Sequence, residues 1–155
     1  MSCSRIAPKH HQGSRPPTGR ALRRLGFQVL VLCEAEWQPP AEEFPGLIVL
    51  HCPLHDELEP VSFEDRVQVS DIAREATALI GRGYRTLVAC HMGLNRSGLV
   101  SSAILMNRYG MSGSEAIATV RRQRKGALVN PFFRRALRTV PARAAAQRLN
   151  RAVAL

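Results

Sequence analysis

The chain has 155 residues, 45% hydrophobic and 22% charged, with a formal net charge of +10. That length suits one domain with an ordinary core, and the composition excludes a disordered or fibrous chain. No apolar run approaches the ~18 residues of a membrane span, and the N-terminal Arg5, Lys9, His10 and His11 lack the apolar stretch of a secretory signal, so a cytoplasmic protein without a transmembrane segment is expected.

Residues 1 to 12 are polar and mixed, which reads as a flexible N-terminal segment or a short edge strand. A turn-rich loop, Gln12 to Pro17, follows. Thr18 is placed to cap a short helix through Leu25 that Gly26 ends. Phe27 to Cys33 is an apolar run of the kind found in buried parallel strands. An irregular connection with three prolines and Trp37 leads to a second strand, Gly46 to Cys52, ended by Pro53. After an acidic loop, Ser62 with Asp65 three residues on marks a helix start, and Val67, Ile72, Ala76, Leu79 and Ile80 form its apolar face.

Gly81-Arg82-Gly83 stops that helix, and Tyr84 to Ala89 forms the next strand. Further helices are expected from Arg96 to Arg108, from Ser112 with Ile117 and Val120 inward, and from Asn130 through Leu137. Pro141 then separates a basic helical tail over 141–155, leaving 13–140 as the folded domain. Strands alternating with helices predict an α/β single domain, with a central mostly parallel sheet flanked by helices.

The chemistry concentrates in Cys90-His91-Met92-Gly93-Leu94-Asn95-Arg96-Ser97, between a strand and a helix. A loop there turns successive backbone N–H groups inward, and the helix N-terminus adds its positive dipole end, which suits a dianion. The same field favours a thiolate at Cys90. Arg96 supplies a planar fork able to grip two phosphate oxygens, and Ser97 places a hydroxyl near the thiol. Nucleophile, anion cradle and bidentate clamp within eight residues describe a phosphate-ester hydrolase.

A proton donor for the leaving group is also required. Asp56, in Pro53-Leu54-His55-Asp56-Glu57-Leu58, lies just past a strand end, on the same rim as Cys90 and 34 residues before it. Glu57 and Glu59 stand close enough to be alternatives.

Cysteine, five residues, arginine and then serine resembles the signature of the cysteine-dependent protein tyrosine phosphatases, and the Pro-apolar-x-Asp loop resembles the general-acid loop of their dual-specificity branch. Arg121, Arg124, Asn130 and Phe132 are similar to that family's pattern before its last core helix. The resemblance covers about Gln12 to Leu137 and implies a phosphate loop between a strand and a helix. It makes Cys90 the nucleophile and Asp56 the acid, with the amides of His91, Met92, Gly93, Leu94 and Asn95 and the Arg96 guanidinium binding phosphate. Ser97 would steady the departing thiolate, with no cofactor and no metal. The implied substrate is a phosphoprotein carrying phosphotyrosine, with phosphoserine or phosphothreonine as further substrates. Alternatives for the same site are a non-protein ester such as an RNA 5′-phosphate or a phosphoinositide, and a phosphoprotein bound but not cleaved. One position departs from the family: its usual histidine before the cysteine is Ala89, which predicts a slower enzyme.

Other signals are weaker. The basic charge reads as solvated helix faces and a basic tail. With 5% aromatic residues, none interleaved with the arginines, no nucleic-acid partner is expected. His51, Cys52, His55 and Asp56 straddle a strand end and cannot converge on a metal. Cys3, Cys33, Cys52 and Cys90 show no CxxC spacing and fit a reducing compartment. Cys52 is a candidate partner for an oxidised Cys90.

Overall fold

The computed structural model describes residues 1–140, so the tail expected over 141–155 lies outside the described residues. In chain order the elements are β1 (Cys3–Ala7), β2 (His10–Gly13), α1 (Gly19–Arg24), β3 (Val29–Glu34), β4 (Ile48–Leu54), α2 (Phe63–Gly81), β5 (Thr86–Ala89), α3 (Arg96–Tyr109), α4 (Gly113–Gln123) and α5 (Pro131–Arg138). The five strands form one sheet in the order β1-β2-β5-β3-β4. Only the β1–β2 pairing is antiparallel. The expected α/β sheet, mostly parallel and flanked by helices, is therefore present.

Two-residue alternation sorts the sheet's side chains into two layers. Val29, Val31 and Cys33 join Leu50, Cys52, Leu54, Val88 and Cys90 in a large cluster with α2, α3, α4 and α5. Leu30, Leu32, Leu87 and Ala89 face the other way, onto Leu22 of α1, Phe27 and Phe44. A strand covered on both faces reads as an unbroken apolar run, and β3 is buried at all six positions. The four parallel strands end at one edge with Gly13, Glu34, Leu54 and Ala89. The loops that follow them therefore meet there, where open α/β sheets place their ligands.

Three expectations change. Residues 1 to 12 hold the short edge strand, β1, that is one of the two readings of the sequence, and more besides: β1 pairs with an inner strand, β2, which pairs with β5 inside the sheet. Its polarity concealed it, because His10 is fully buried yet hydrogen-bonds Ser101 at 3.1 Å. Pro53 does not end its strand, since β4 is an edge strand and can hold a residue without an N–H. The buried face of α2 is Val69, Ala73, Ala76, Leu79 and Ile80, whereas Val67 is exposed. The Ser62 cap is as expected, its hydroxyl accepting from the Asp65 N–H at 3.1 Å. Among the described residues no helix is long and apolar enough to cross a membrane.

Burial, then the nearby Arg108 and His11 charges, lowers the His10 pKa to about 3. The native state thus keeps His10 neutral while the unfolded chain takes up a proton below its ordinary value near 6.5. Stability contributed by neutral His10 is complete above that value and falls as the pH drops towards 3, by about 1.4 kcal/mol per pH unit. Urea unfolding between pH 7 and pH 4.5 should show this loss, and His10→Gln should flatten the slope.

Candidate active site

Cys90 to Asn95 leave the end of β5 and enter α3 as a loop in which the carbonyls of His91, Met92, Gly93 and Leu94 are claimed from outside. His91 O accepts from the Arg15 N–H at 3.2 Å, and Met92 O from Arg124 Nη2 at 3.1 Å. Gly93 O accepts from Gln12 Nε2 at 3.0 Å and from Arg124 Nε. Leu94 O accepts from the Leu128 N–H at 3.2 Å. In a planar trans peptide the next N–H points opposite to the carbonyl, so these bonds turn the N–H groups of Met92 to Asn95 towards the concave side. Among the described residues none of the amides from His91 to Asn95 donates to a protein acceptor. Such a row of free donors at a helix N-terminus suits a tetrahedral dianion.

Two glycines permit the loop's close approach to β2. Gly93 has φ +69°, and a Cβ there would lie 2.2 Å from the Gly13 carbonyl carbon. Neither the left-handed backbone nor the contact tolerates a side chain. The Cys90 N–H donates to Gly13 O at 3.3 Å, which ties the loop's first residue to the same strand end.

Cys90 is buried, with Sγ 3.2 Å from Ser97 Oγ. Once the thiol ionises, that hydroxyl becomes a donor to the sulfur. Arg96 is also buried: Nη1 donates to Glu36 Oε2 at 2.5 Å and to Leu54 O at 3.3 Å. Its Nε is buried without a partner, leaving that side of the fork for an anion. A backbone N–H, followed by the Arg96 guanidinium, holds the Glu36 carboxyl below its usual range. Glu36 also faces His55 Nδ1 at 3.4 Å, linking Arg96 to the loop after β4.

Asp56 lies on that exposed loop and meets the phosphate loop through side chains. Its Oδ2 accepts from Asn95 Nδ2 at 2.9 Å and its Oδ1 from Asn130 Nδ2 at 2.9 Å. Asn95 N-caps α3 by position but makes no cap bond, so its helix keeps an open N-terminus. Arg124 reaches the loop, as described, whereas Arg121 is exposed and does not. Glu57 contributes its carbonyl to Asn130. His91 is exposed and faces Glu34 at 3.5 Å. Ala89 packs in the smaller apolar cluster beneath the sheet. Trp37 packs edge-on against Phe44 and carries Arg15 over its ring at 4.9 Å. Arg15 in turn is paired with Glu34.

Gln12, Glu36 and the side-chain roles of Asn95 were not foreseen. For Gln12 a signal existed, since a polar His-His-Gln-Gly run before a strand-sized gap is unusual inside a sheet. Cys52 does not adjoin Cys90: Leu32 pairs with both His51 and Ala89, so β3 and its Cys33 stand between them. Two strand spacings of about 4.8 Å each exceed the roughly 7 Å Cα limit for a disulfide. Burial, then the Asp65 charge, also pushes the Cys52 thiol up to about 12. His51 faces away from the core, bonded to Gln38 at 2.8 Å.

Two predictions follow from this geometry. Arg124→Met keeps the stem but strips donors from two loop carbonyls, so it should cost about 2–4 kcal/mol in chemical denaturation and weaken orthovanadate binding. Cys52→Ser should leave peroxide sensitivity, and its reversal by thiol, unchanged in an activity assay.

Comparison with known proteins agrees with this picture. Residues 20–142 match the family model for the dual specificity phosphatase catalytic domain. Human dual specificity phosphatase 28 is 30% identical over 131 residues, covering 83% of this chain and 72% of that protein. The crystal structure of human DUSP28 superposes with a TM-score of 0.77 at 26% identity, over 94% of this chain and 99% of that one. Tk-PTP in its active form gives 0.75 at 30% identity, over 92% and 97%. Agreement in sequence and in fold over most of its length places this chain in the dual specificity phosphatase family, within the cysteine-dependent protein tyrosine phosphatase superfamily.

Proposed function

We propose that this protein hydrolyses phosphotyrosine, and with it phosphoserine and phosphothreonine, in phosphoproteins through a phosphocysteine intermediate. The observation that carries the reading is the Cys90 thiol, 3.2 Å from the Ser97 hydroxyl, at a loop of unpartnered amides that Arg96 closes. The phosphoryl oxygens lie against the amides of His91 to Asn95 and the Arg96 guanidinium, which stabilise the charge they carry in the transition state. The Cys90 thiolate attacks phosphorus, the S–P bond forms as the P–O bond breaks, and Asp56 gives its proton to the leaving oxygen. Water, deprotonated by the Asp56 carboxylate, then attacks phosphorus. The S–P bond breaks, inorganic phosphate leaves, and the Ser97 hydroxyl supports the returning thiolate. Four free cysteines, one of them the nucleophile, fit a reducing compartment, and we place the protein in the cytoplasm.

Hydrolysis of para-nitrophenyl phosphate followed against pH tests the assignment. Wild type should turn over in EDTA, Cys90→Ser should be inert, and Asp56→Asn should lose about 10²-fold together with the basic limb of the profile. Phosphotyrosine, phosphoserine and phosphothreonine peptides assayed side by side test the substrate range. A wild-type protein that binds orthovanadate but turns nothing over would instead be a phosphate-binding module.

A further inference from the structure

Asp56 sits on an exposed irregular loop, yet the proton transfer assigned to it needs a carboxyl held close to the phosphate cradle. Nothing in the loop's own backbone supplies that restraint. Among the described residues, the side-chain partners of Asp56 are the amides of Asn95 and Asn130, one on each carboxylate oxygen, both at 2.9 Å. Both asparagines are themselves fixed. Asn130 is 2% exposed; its Oδ1 caps α5 by accepting from the Phe132 N–H at 3.0 Å, and its Nδ2 also donates to Glu57 O at 2.9 Å. Asn95 Oδ1 accepts from the N–H groups of Val129 and Asn130 at 2.9 and 3.2 Å. With each side-chain oxygen committed to N–H donors, the NH₂ group of each must face Asp56.

We propose that Asn95 and Asn130 are positioning residues for Asp56. They hold its carboxyl beside the phosphate cradle and stabilise the negative charge it gains as its proton leaves. The physical basis is that hydrogen bonds donated to a carboxylate favour its charged form, so two preset N–H donors oriented at both oxygens assist the transfer when it occurs. Asn95 also joins this node to the phosphate loop, because the same residue stands at the start of α3. Proton donor and anion cradle are thereby held in one hydrogen-bonded unit. The inference rests on Asp56 being the donor, and its test separates the two.

The decisive measurement is the dependence of kcat/KM on the leaving group, from para-nitrophenyl phosphate to phenyl phosphate and an alkyl phosphate. A good leaving group needs little protonation, so a weakened donor shows itself with the poor ones. Asn130→Asp retains the oxygen that caps α5 while replacing both N–H donors by a like charge. Asn95→Asp replaces the other donor while keeping the oxygen that accepts from the Val129 and Asn130 N–H groups, and Asn95→Ala removes both. Each Asp variant should lose only a few-fold with para-nitrophenyl phosphate but on the order of 10²-fold with the alkyl ester, and neither should add to the leaving-group dependence of Asp56→Asn. Equal losses across the series in both variants, or none, would overturn the positioning role while Asp56→Asn still shows the dependence. If Asp56→Asn itself shows none, the donor assignment fails first. Should Asn130→Asp not fold, as judged by its thermal transition, Asn95→Asp decides alone.

Discussion

The outward commitment of four consecutive carbonyls, His91 to Leu94, is the constraint on which the site depends. A loop of free amides is unstable alone, since each peptide rotates to satisfy its own N–H. Here Gln12 and Arg15, from the end of β2 and just past it, and Arg124 and Leu128, from the connection after α4, bind the carbonyls. The peptide planes are thereby set before any anion arrives. Preorganised dipoles of this kind need no rearrangement during reaction, which is why they stabilise developing charge effectively. The buried polar strand β2 makes sense in these terms: it carries Gln12 and Gly13 to the underside of the loop, where the Gln12 amide donates to Gly93 O and Gly13 O accepts from the Cys90 N–H.

Charge is balanced locally around the cradle. Arg96 is buried, and an unpaired buried cation would be strongly unfavourable. Glu36 holds one side of its guanidinium, and the Leu54 carbonyl adds a further acceptor. Arg15 is similarly matched by Glu34, so Arg96 and Arg15 are tied to carboxylates at the end of β3 and just after it. The unpartnered Nε of Arg96 and the unpartnered amides of the loop are then the features left for an anion to satisfy.

Rigidity is distributed unevenly between the two sides of the site. The thiol stands at the end of a buried strand, clasped by core packing and by Ser97. Asp56 is held by side-chain amides on a solvent-exposed loop. A strand end fixes the sulfur in place, and hydrogen bonds to an exposed loop can open and close more easily than a packed core. The Cys90 thiol and the Asp56 carboxyl are thus supported by different kinds of interaction, with Asn95 of the Cys90 loop bonded directly to Asp56.

Much was legible in the sequence because it is local. The apolar run of β3, the Ser62, Ser112 and Asn130 caps, and the span from Cys90 to Ser97 each depend on neighbours within a turn or two, where period and turn chemistry act directly. The position of Asp56 on the same rim also followed, since parallel strands end their runs at one edge. What only the tertiary structure decided is long-range. His10 to Gly13 looks like a polar end until β5 and α3 cover it, because burial of a polar side chain depends on a partner distant in the chain, such as Ser101 or the Gly93 carbonyl. The separation of Cys52 from Cys90 required the strand order, which no spacing along the chain encodes. Glu36 on Arg96, and Asn95 and Asn130 on Asp56, are contacts between loops and the starts of helices far apart in the chain. Loop residues carry no periodicity, so their meeting is fixed only when the sheet brings its strand ends together.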